Sequence, residues 1–480
     1  MPSVLQLHNT LTERVEPFSP RVAGQAYVYV CGLTPYDSMH IGHARTFVSF
    51  DILRRWMAHT GLEVVFIQNV TDIDDKIIKR AKENKEKKRP LAAPLELSAH
   101  FDALSRQDMK SLGILAPTHM PKISEHIPQT ISLIQKIIAN GHAYATQSGV
   151  YFDISSFPNY GLLSGQNLEK IKAGARVEIN EDKRNPEDFA LWKLEETEGC
   201  TYDSPWGQGR PGWHIECSSM SLHYTHGHPL DLHGGARDLI FPHHENEIAQ
   251  SEGAGVVPFS RHWVHTGFLT VNGEKMSKSL GNFITLADAF QKWDGPSMRL
   301  FFALTHYRSP IDFSEAALNA AKNTLDNVRR SLTLMEGEGA KQPDEAAERG
   351  LTASVDGKLA SFTSFMNNDL DTPQALAELI EASKLVARAR AENQCSKHAL
   401  QAGAKKIIQS FAILGIDAAP ASAPASSSKL SASEIEALIS QREDARKKKD
   451  FKAADAIRKQ LSDAGVILED SKDGVKWRFG

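Results

Sequence analysis

Within its 480 residues the sequence has no uninterrupted apolar run long enough to span a bilayer, and its first residues carry no apolar signal core. The expectation is therefore a cytoplasmic protein with no membrane association. Cysteine is scarce: Cys31, Cys200, Cys217 and Cys395 are scattered without paired spacing. That argues against a disulfide framework and leaves reduced thiols available as metal ligands. A dominant charge is lacking too. A formal net charge of -4 does not advertise a nucleic-acid binder, so any such contact has to come from local patches. What is present is the composition of a globular enzyme, in a chain too long for one ordinary core. A large catalytic domain with two or three smaller ones is expected.

The stretch from Cys31 to His43 lies where a β-branched and aromatic run, Gln25 to Val30, gives way to apolar residues at helical spacing, Phe47, Phe50, Ile52, Leu53 and Met57. The order is strand, tight turn, helix. A helix start offers free N–H groups and partial positive charge to a phosphate. Gly42 permits close approach, and His40 and His43 can donate to anionic oxygens. Glu63 to Val70 is a second strongly β-prone run, which closes a βαβ unit and predicts a parallel, right-handed α/β domain. Thr71 to Lys76 follows that strand, where open α/β sheets place their ligands.

Lys79 to Arg89 holds seven basic residues and two acidic ones, ordinarily a solvated face, with RNA contact as the alternative. Residues 95–200 read as an insertion with helical pattern from Ile123 to Ile138, and the sheet is expected to resume near Gly212. His243 and Glu247 are four apart and share a helix face, with Pro242 placed to open that helix. With Cys217 and Cys31 they form a plausible zinc shell. Spacing alone leaves this open, because buried structural cysteines account for it as well. Lys275 and Lys278, in Lys275-Met276-Ser277-Lys278-Ser279, form a cationic loop able to reach polyphosphate oxygens.

His40-Ile41-Gly42-His43 and Lys275-Met276-Ser277-Lys278-Ser279 together resemble the signature pair of class I aminoacyl-tRNA synthetases. The text around Cys31, Thr71 to Lys76, Gly212 to Cys217 and Phe241 to Glu247 resembles the cysteinyl-tRNA synthetases. The resemblance implies a Rossmann-type parallel-sheet catalytic domain in two halves, residues 1–95 and 200–285, around a connective insertion at 96–199. It further implies a stem-contact region at 286–315, a helical bundle at 316–417, a flexible linker at 418–428 and an anticodon-binding domain at 429–480.

The implied chemistry makes cysteinyl adenylate and pyrophosphate from L-cysteine and ATP with Mg2+, then acylates tRNA(Cys). In that scheme one zinc ion sits on Cys31, Cys217, His243 and Glu247, and Gly32, Thr71, Trp213 and His233 line the cysteine pocket. His40, Gly42, His43, Asp238, Lys275 and Lys278 serve ATP and the transition state. Arg446, Asp455 and Asp470 are candidate anticodon contacts, Phe451 and Trp477 offer aromatic faces, and a monomer is expected. A cysteine–amino-sugar ligase and a non-catalytic RNA-binding relative are the rival readings. The C-terminal domain argues against the first and the intact signatures against the second.

Overall fold

The computed structural model describes residues 4–166, 182–276, 281–334, 338–420, 432–448, 450–464, 466–471 and 474–479. They divide into two compact units, 1–418 and 419–480.

The first unit is built on a four-stranded, wholly parallel sheet. Its order is Trp263–Thr266, Leu232–Ala236, Gln25–Leu33, Glu63–Val70. Side chains alternate across a strand, so Gln25–Leu33 divides its residues between two cores. Ala26, Val28 and Val30 face the core shared with the helix Ile41–His59, whereas Tyr29 and Cys31 face a second core with Ile67, Cys217 and Trp263. Register puts Tyr29 opposite His233, and His233 opposite Trp263, making one aromatic row on the second face. The ladder is irregular between Val30 and Leu33. There a Cβ on Gly32 would lie 1.7 Å from the Asn69 carbonyl oxygen, so only glycine lets the two strand ends approach this closely.

The insertion folds as an antiparallel sheet of Ala143–Ala145, Gly149–Phe152, Phe189–Lys193 and Arg210–Pro211. Contrary to the sequence expectation, the parallel sheet does not resume near Gly212. Arg210–Pro211 completes the antiparallel sheet, Gly212 caps the helix Trp213–Tyr224, and the parallel sheet returns at Leu232. That helix buries Ser218, Ser219 and Ser221 as well as Ile215, Cys217, Met220 and Leu222, so no apolar stripe marks it as a helix in the sequence.

Glu274–Lys275, Leu269–Val271 and Ile311–Phe313 form a small third sheet. Its hairpin turns at Asn272 and Gly273, both with positive φ (51° and 79°), as a two-residue turn between twisted strands requires. Beyond it, helices Glu315–Leu332, Glu345–Asn367, Thr372–Glu392 and Lys397–Ile413 form the bundle. Leu318, Leu325, Val328, Leu332, Leu376, Leu379 and Val386 are buried in it, and Ile380 is half-buried. Arg299 pins this bundle to the catalytic part: its guanidinium donates to Asp51 (2.6 Å) and to the carbonyls of Leu414 (2.7 Å) and Leu112 (3.3 Å). A fully buried cation is tolerated because these acceptors replace water. Ala418, placed in the linker by composition, is buried in this unit's core.

The second unit comprises helices Ala432–Lys447 and Phe451–Asp463 and the hairpin Val466–Ser471 with Gly474–Phe479, around Ile435, Ile439, Leu461 and Val466. Trp477 packs against that core, which leaves less of its ring for base stacking than its sequence position suggests.

Candidate active site and metal centre

The strand end and the helix start that follows it carry the first half of the site. His40 is the N-cap of Ile41–His59: its Nδ1 accepts from the backbone N–H of Gly42 (3.1 Å) and His43 (3.3 Å), while His43 Nδ1 accepts from His40 N–H (3.4 Å). The two rings stack with centroids 3.5 Å apart. With Nδ1 as acceptor, each ring carries its proton on Nε2. Desolvation, then His40 and Lys76, push the pKa of His43 well below its ordinary value, so it is a neutral donor at physiological pH.

The second signature lies beside this helix start. Ile41 N–H donates to the Ile284 carbonyl (3.2 Å), the His40 ring meets Phe283 edge-on (5.3 Å), and the space next to the Gly42 Cα borders Met276 (3.5 Å). Lys275 is exposed at the end of its strand. Lys278 lies outside the described residues.

On the other face of the sheet, one donor atom each from Cys31, Cys217, His243 and Glu247 lies within 4.8 Å of the others, and all four residues are buried. Cys31 comes from the strand end, Cys217 from Trp213–Tyr224, and His243 and Glu247 from Ile240–His244 and the helix Glu245–Gly253. Pro242 opens that helix, since Phe241 before it is extended (φ -134°, ψ 133°) and the backbone is helical from there into Glu245–Gly253. The four-residue spacing brings His243 Nε2 to 3.0 Å from Glu247 Oε1. Burial, reinforced by Cys217 and Glu247, raises the Cys31 thiol well above its ordinary pKa. Burial raises the Glu247 carboxyl as well, and a cation joined to the cluster reverses that tendency.

A second set, Cys31, His233, His244 and Glu247, also converges. Its two histidines have other work as donors. His233 Nε2 lies 2.8 Å from Glu247 Oε2, and His244 Nε2 lies 3.2 Å from Cys31 Sγ. His244 Nδ1 then meets His265 Nε2 (2.7 Å), and His265 Nδ1 meets Thr10 Oγ1 (2.8 Å). Such outer hydrogen bonds orient ligands and fix their charge. The first set uses both thiols and leaves these contacts intact.

Around the cluster, Trp213 is partly exposed and stacks on His243 with centroids 4.5 Å apart. Thr71 is buried and accepts from Asn69 Nδ2 (3.1 Å), and Asn69 Oδ1 accepts from Gly32 N–H (2.8 Å). Asp238 is exposed just past the end of Leu232–Ala236. In the second unit Arg446 and Asp455 are exposed, and Asp470 pairs with Val475 in the hairpin.

The family described as "tRNA synthetases class I (C) catalytic domain" matches residues 17–323. The curated cysteine–tRNA ligase of Geobacter sulfurreducens is 43% identical, with 99% of both chains covered, and that of Heliobacterium modesticaldum is 45% identical over the same shares. The chain belongs to the cysteine–tRNA ligase family. Two further families match its C-terminal third, the DALR domain at 361–419 and the cysteinyl-tRNA ligase anticodon binding domain at 430–478. In fold, the chain is similar to Mycobacterium tuberculosis methionyl-tRNA synthetase in complex with methionyl-adenylate, with TM-score 0.60, 16% identity and 82% and 90% of the two chains covered.

For this member of the ligase family, the buried histidines beyond the motifs are what sequence reasoning missed. His244 was within a quoted motif but adjacent to the chosen ligand. His265 and Thr10 carry no local signal at all: His265 comes in on its sheet strand, and Thr10 through its N–H, which donates to the Trp263 carbonyl (2.8 Å). His265 is held to a pKa of about 3, chiefly by burial. An unfolded histidine binds its proton near 6.5 while the folded one stays neutral. The stability this contributes is therefore complete above that value and falls by about 1.4 kcal/mol per pH unit below it, until the folded group titrates. His265→Asn is expected to flatten the decline between pH 6.5 and 5 by about 2 kcal/mol in urea unfolding. Parallel curves for variant and parent contradict this.

Proposed function

We infer that this chain is an ATP-dependent ligase that activates L-cysteine as cysteinyl adenylate and transfers it to the 3′ end of tRNA(Cys). The observation that carries the reading is the junction at residues 31–43. A thiol–imidazole–carboxylate cluster stands on one face of the sheet, and a helix start bearing two histidines stands at the end of the same strand. The full-length likeness to curated cysteine–tRNA ligases supports it.

The donor set suits zinc. In a tetrahedral shell with thiolates at about 2.3 Å, ligand atoms stand roughly 3.8 Å apart. Cys31 Sγ lies 3.9 Å from Cys217 Sγ and 3.8 Å from Glu247 Oε1. Zinc held there supplies a soft Lewis acid that binds a thiol as thiolate and a serine hydroxyl poorly. A shape-based pocket separates such near-isosteres only about a hundredfold.

The chain's own residues do the remaining work. His233 keeps a buried Nδ1 without a partner among the described residues, available to a donor on the substrate, and Gly32, Thr71 and Trp213 complete that pocket. The carboxylate oxygen of cysteine attacks the α-phosphorus of ATP, the bond to the β-phosphate oxygen breaks, and pyrophosphate leaves with its electron pair. His40, His43 and the Gly42 helix start donate to the phosphates. Lys275 and Lys278 neutralise charge that develops in transfer, with Mg2+ on the nucleotide, and Asp238 meets the ribose. Positioning and electrostatics supply most of the rate.

In the second step the tRNA hydroxyl displaces AMP at the carbonyl carbon. Arg446, Asp455 and Asp470 are the proposed anticodon contacts, and a monomer working in the cytoplasm is the expected form. The test is cysteine-dependent exchange of pyrophosphate into ATP together with charging of purified tRNA(Cys). Exchange without charging would favour transfer to another amine or hydroxyl, and neither activity would overturn the reading.

A further inference from the structure

The basic run after the second sheet strand has a definite place relative to the site. It occupies the helix Asp75–Glu86, about 18 Å long at 1.5 Å per residue, and the turn that follows. The helix begins at the site: Asp74 caps it, and Lys76 Nζ lies 6.0 Å from the Trp213 ring and 5.7 Å from that of Tyr36. Ile77, Ala81 and Asn84 are its buried side. Lys76, Arg80 and Lys87, spaced by four and seven residues, fall along one stripe leading away from Trp213, with Lys79 on its flank and Lys82 farther round the exposed side of the helix.

These cations are presented rather than consumed. Arg80 meets Glu83 at 3.8 Å and Lys85 meets Glu198 at 2.6 Å. Lys79, Lys82, Lys87, Lys88 and Arg89 are exposed and make no ion pair among the described residues. The turn holding the last three is fixed from beneath, because Arg89 N–H donates to the Asn84 carbonyl (2.8 Å) and the buried Asn84 amide to Leu91 O (3.0 Å). The run carries seven basic residues against two acidic ones in a chain of net charge -4.

We propose that this stripe is a docking track for the sugar–phosphate backbone at the acceptor end of the tRNA, leading its 3′ terminus toward Trp213. The assignment rests on the function inferred above. Phosphate neutralisation by Lys and Arg is sequence-independent and falls with salt, and the near end of the track lies where the acyl group is transferred.

The test uses the full chain with Lys79, Lys82, Lys87, Lys88 and Arg89 all changed to Gln. It compares three activities: pyrophosphate exchange, charging of tRNA(Cys), and charging of an acceptor-stem minihelix with no anticodon. Exchange is expected to be unchanged. The KM for both RNAs should rise about tenfold at 0.1 M salt, and the log–log salt dependence should become shallower by about 2. Changing the four lysines to Arg should restore the parent KM. If the parent charges both RNAs and the Gln variant keeps its KM and salt slope, the track is overturned alone. An effect on tRNA(Cys) but not on the minihelix also overturns it. A parent that charges neither RNA overturns the inferred function, and this assignment with it.

Discussion

Cys217→Ser is expected to abolish bound zinc and to lower cysteine-dependent pyrophosphate exchange by at least about a thousandfold, beyond the 10–100-fold typical of losing an outer hydrogen bond to a metal site. Cys217 is fully enclosed on Trp213–Tyr224, with Cys31 Sγ 3.9 Å away and Glu247 close by. Serine fits the same space, so the loss reads as chemistry and not as a cavity. The hydroxyl stays protonated, leaving the metal three good protein donors in place of four. Metal analysis, exchange kinetics and the thermal midpoint are measured together. A variant that retains full zinc and full exchange would remove Cys217 from the site. One that loses the fold would show it in the midpoint, and Cys31→Ser then provides the same test from a different element.

His43→Asn is expected to lower the exchange kcat by about 10²–10³, the usual cost of removing one preorganised donor from a developing oxyanion, while leaving the KM for cysteine within about twofold. The split follows from the sheet: Cys31 faces the second core, while His43 belongs to the helix packed on the first. Asparagine keeps a side-chain acceptor for the His40 N–H, so the helix start survives. Because burial, His40 and Lys76 all lower the His43 pKa, the parent rate should show no ionisation of this group between pH 6 and 8. A fall confined to the KM for cysteine, or a rate that tracks protonation of His43 in that range, would contradict the assignment.

Much of this was legible in the residues. The strand, turn and helix at Gln25 to Met57 follow from one change of hydrophobic period, and the following strand at Glu63–Val70 made the parallel unit nearly obligatory. The bundle helices announced themselves through Leu318, Leu325, Val328 and Leu332, all buried. What could not be read was whatever depends on register between distant segments. Cys31 and Cys217 are 186 positions apart, and nothing local says that they meet. The Cys31–His244–His265–Thr10 chain joins two parallel strands, which carry Cys31 and His265, through His244 before Glu245–Gly253 and Thr10 in the turn after Gln6–Asn9, so no single segment announces it. The return of the sheet at Leu232 in place of Gly212 was hidden because a helix buried on all sides shows no amphipathic pattern.

The central claim is that the cluster at Cys31, Cys217, His243 and Glu247 grips the substrate's own sulfur. Cobalt(II) in place of zinc makes that visible as thiolate-to-metal charge-transfer absorption. Titration with L-cysteine is predicted to increase that absorption by the contribution of one further thiolate, in step with occupancy, and L-serine at the same concentrations to leave it unchanged. Cysteine that is activated at full rate while the cobalt spectrum stays the same would contradict the account.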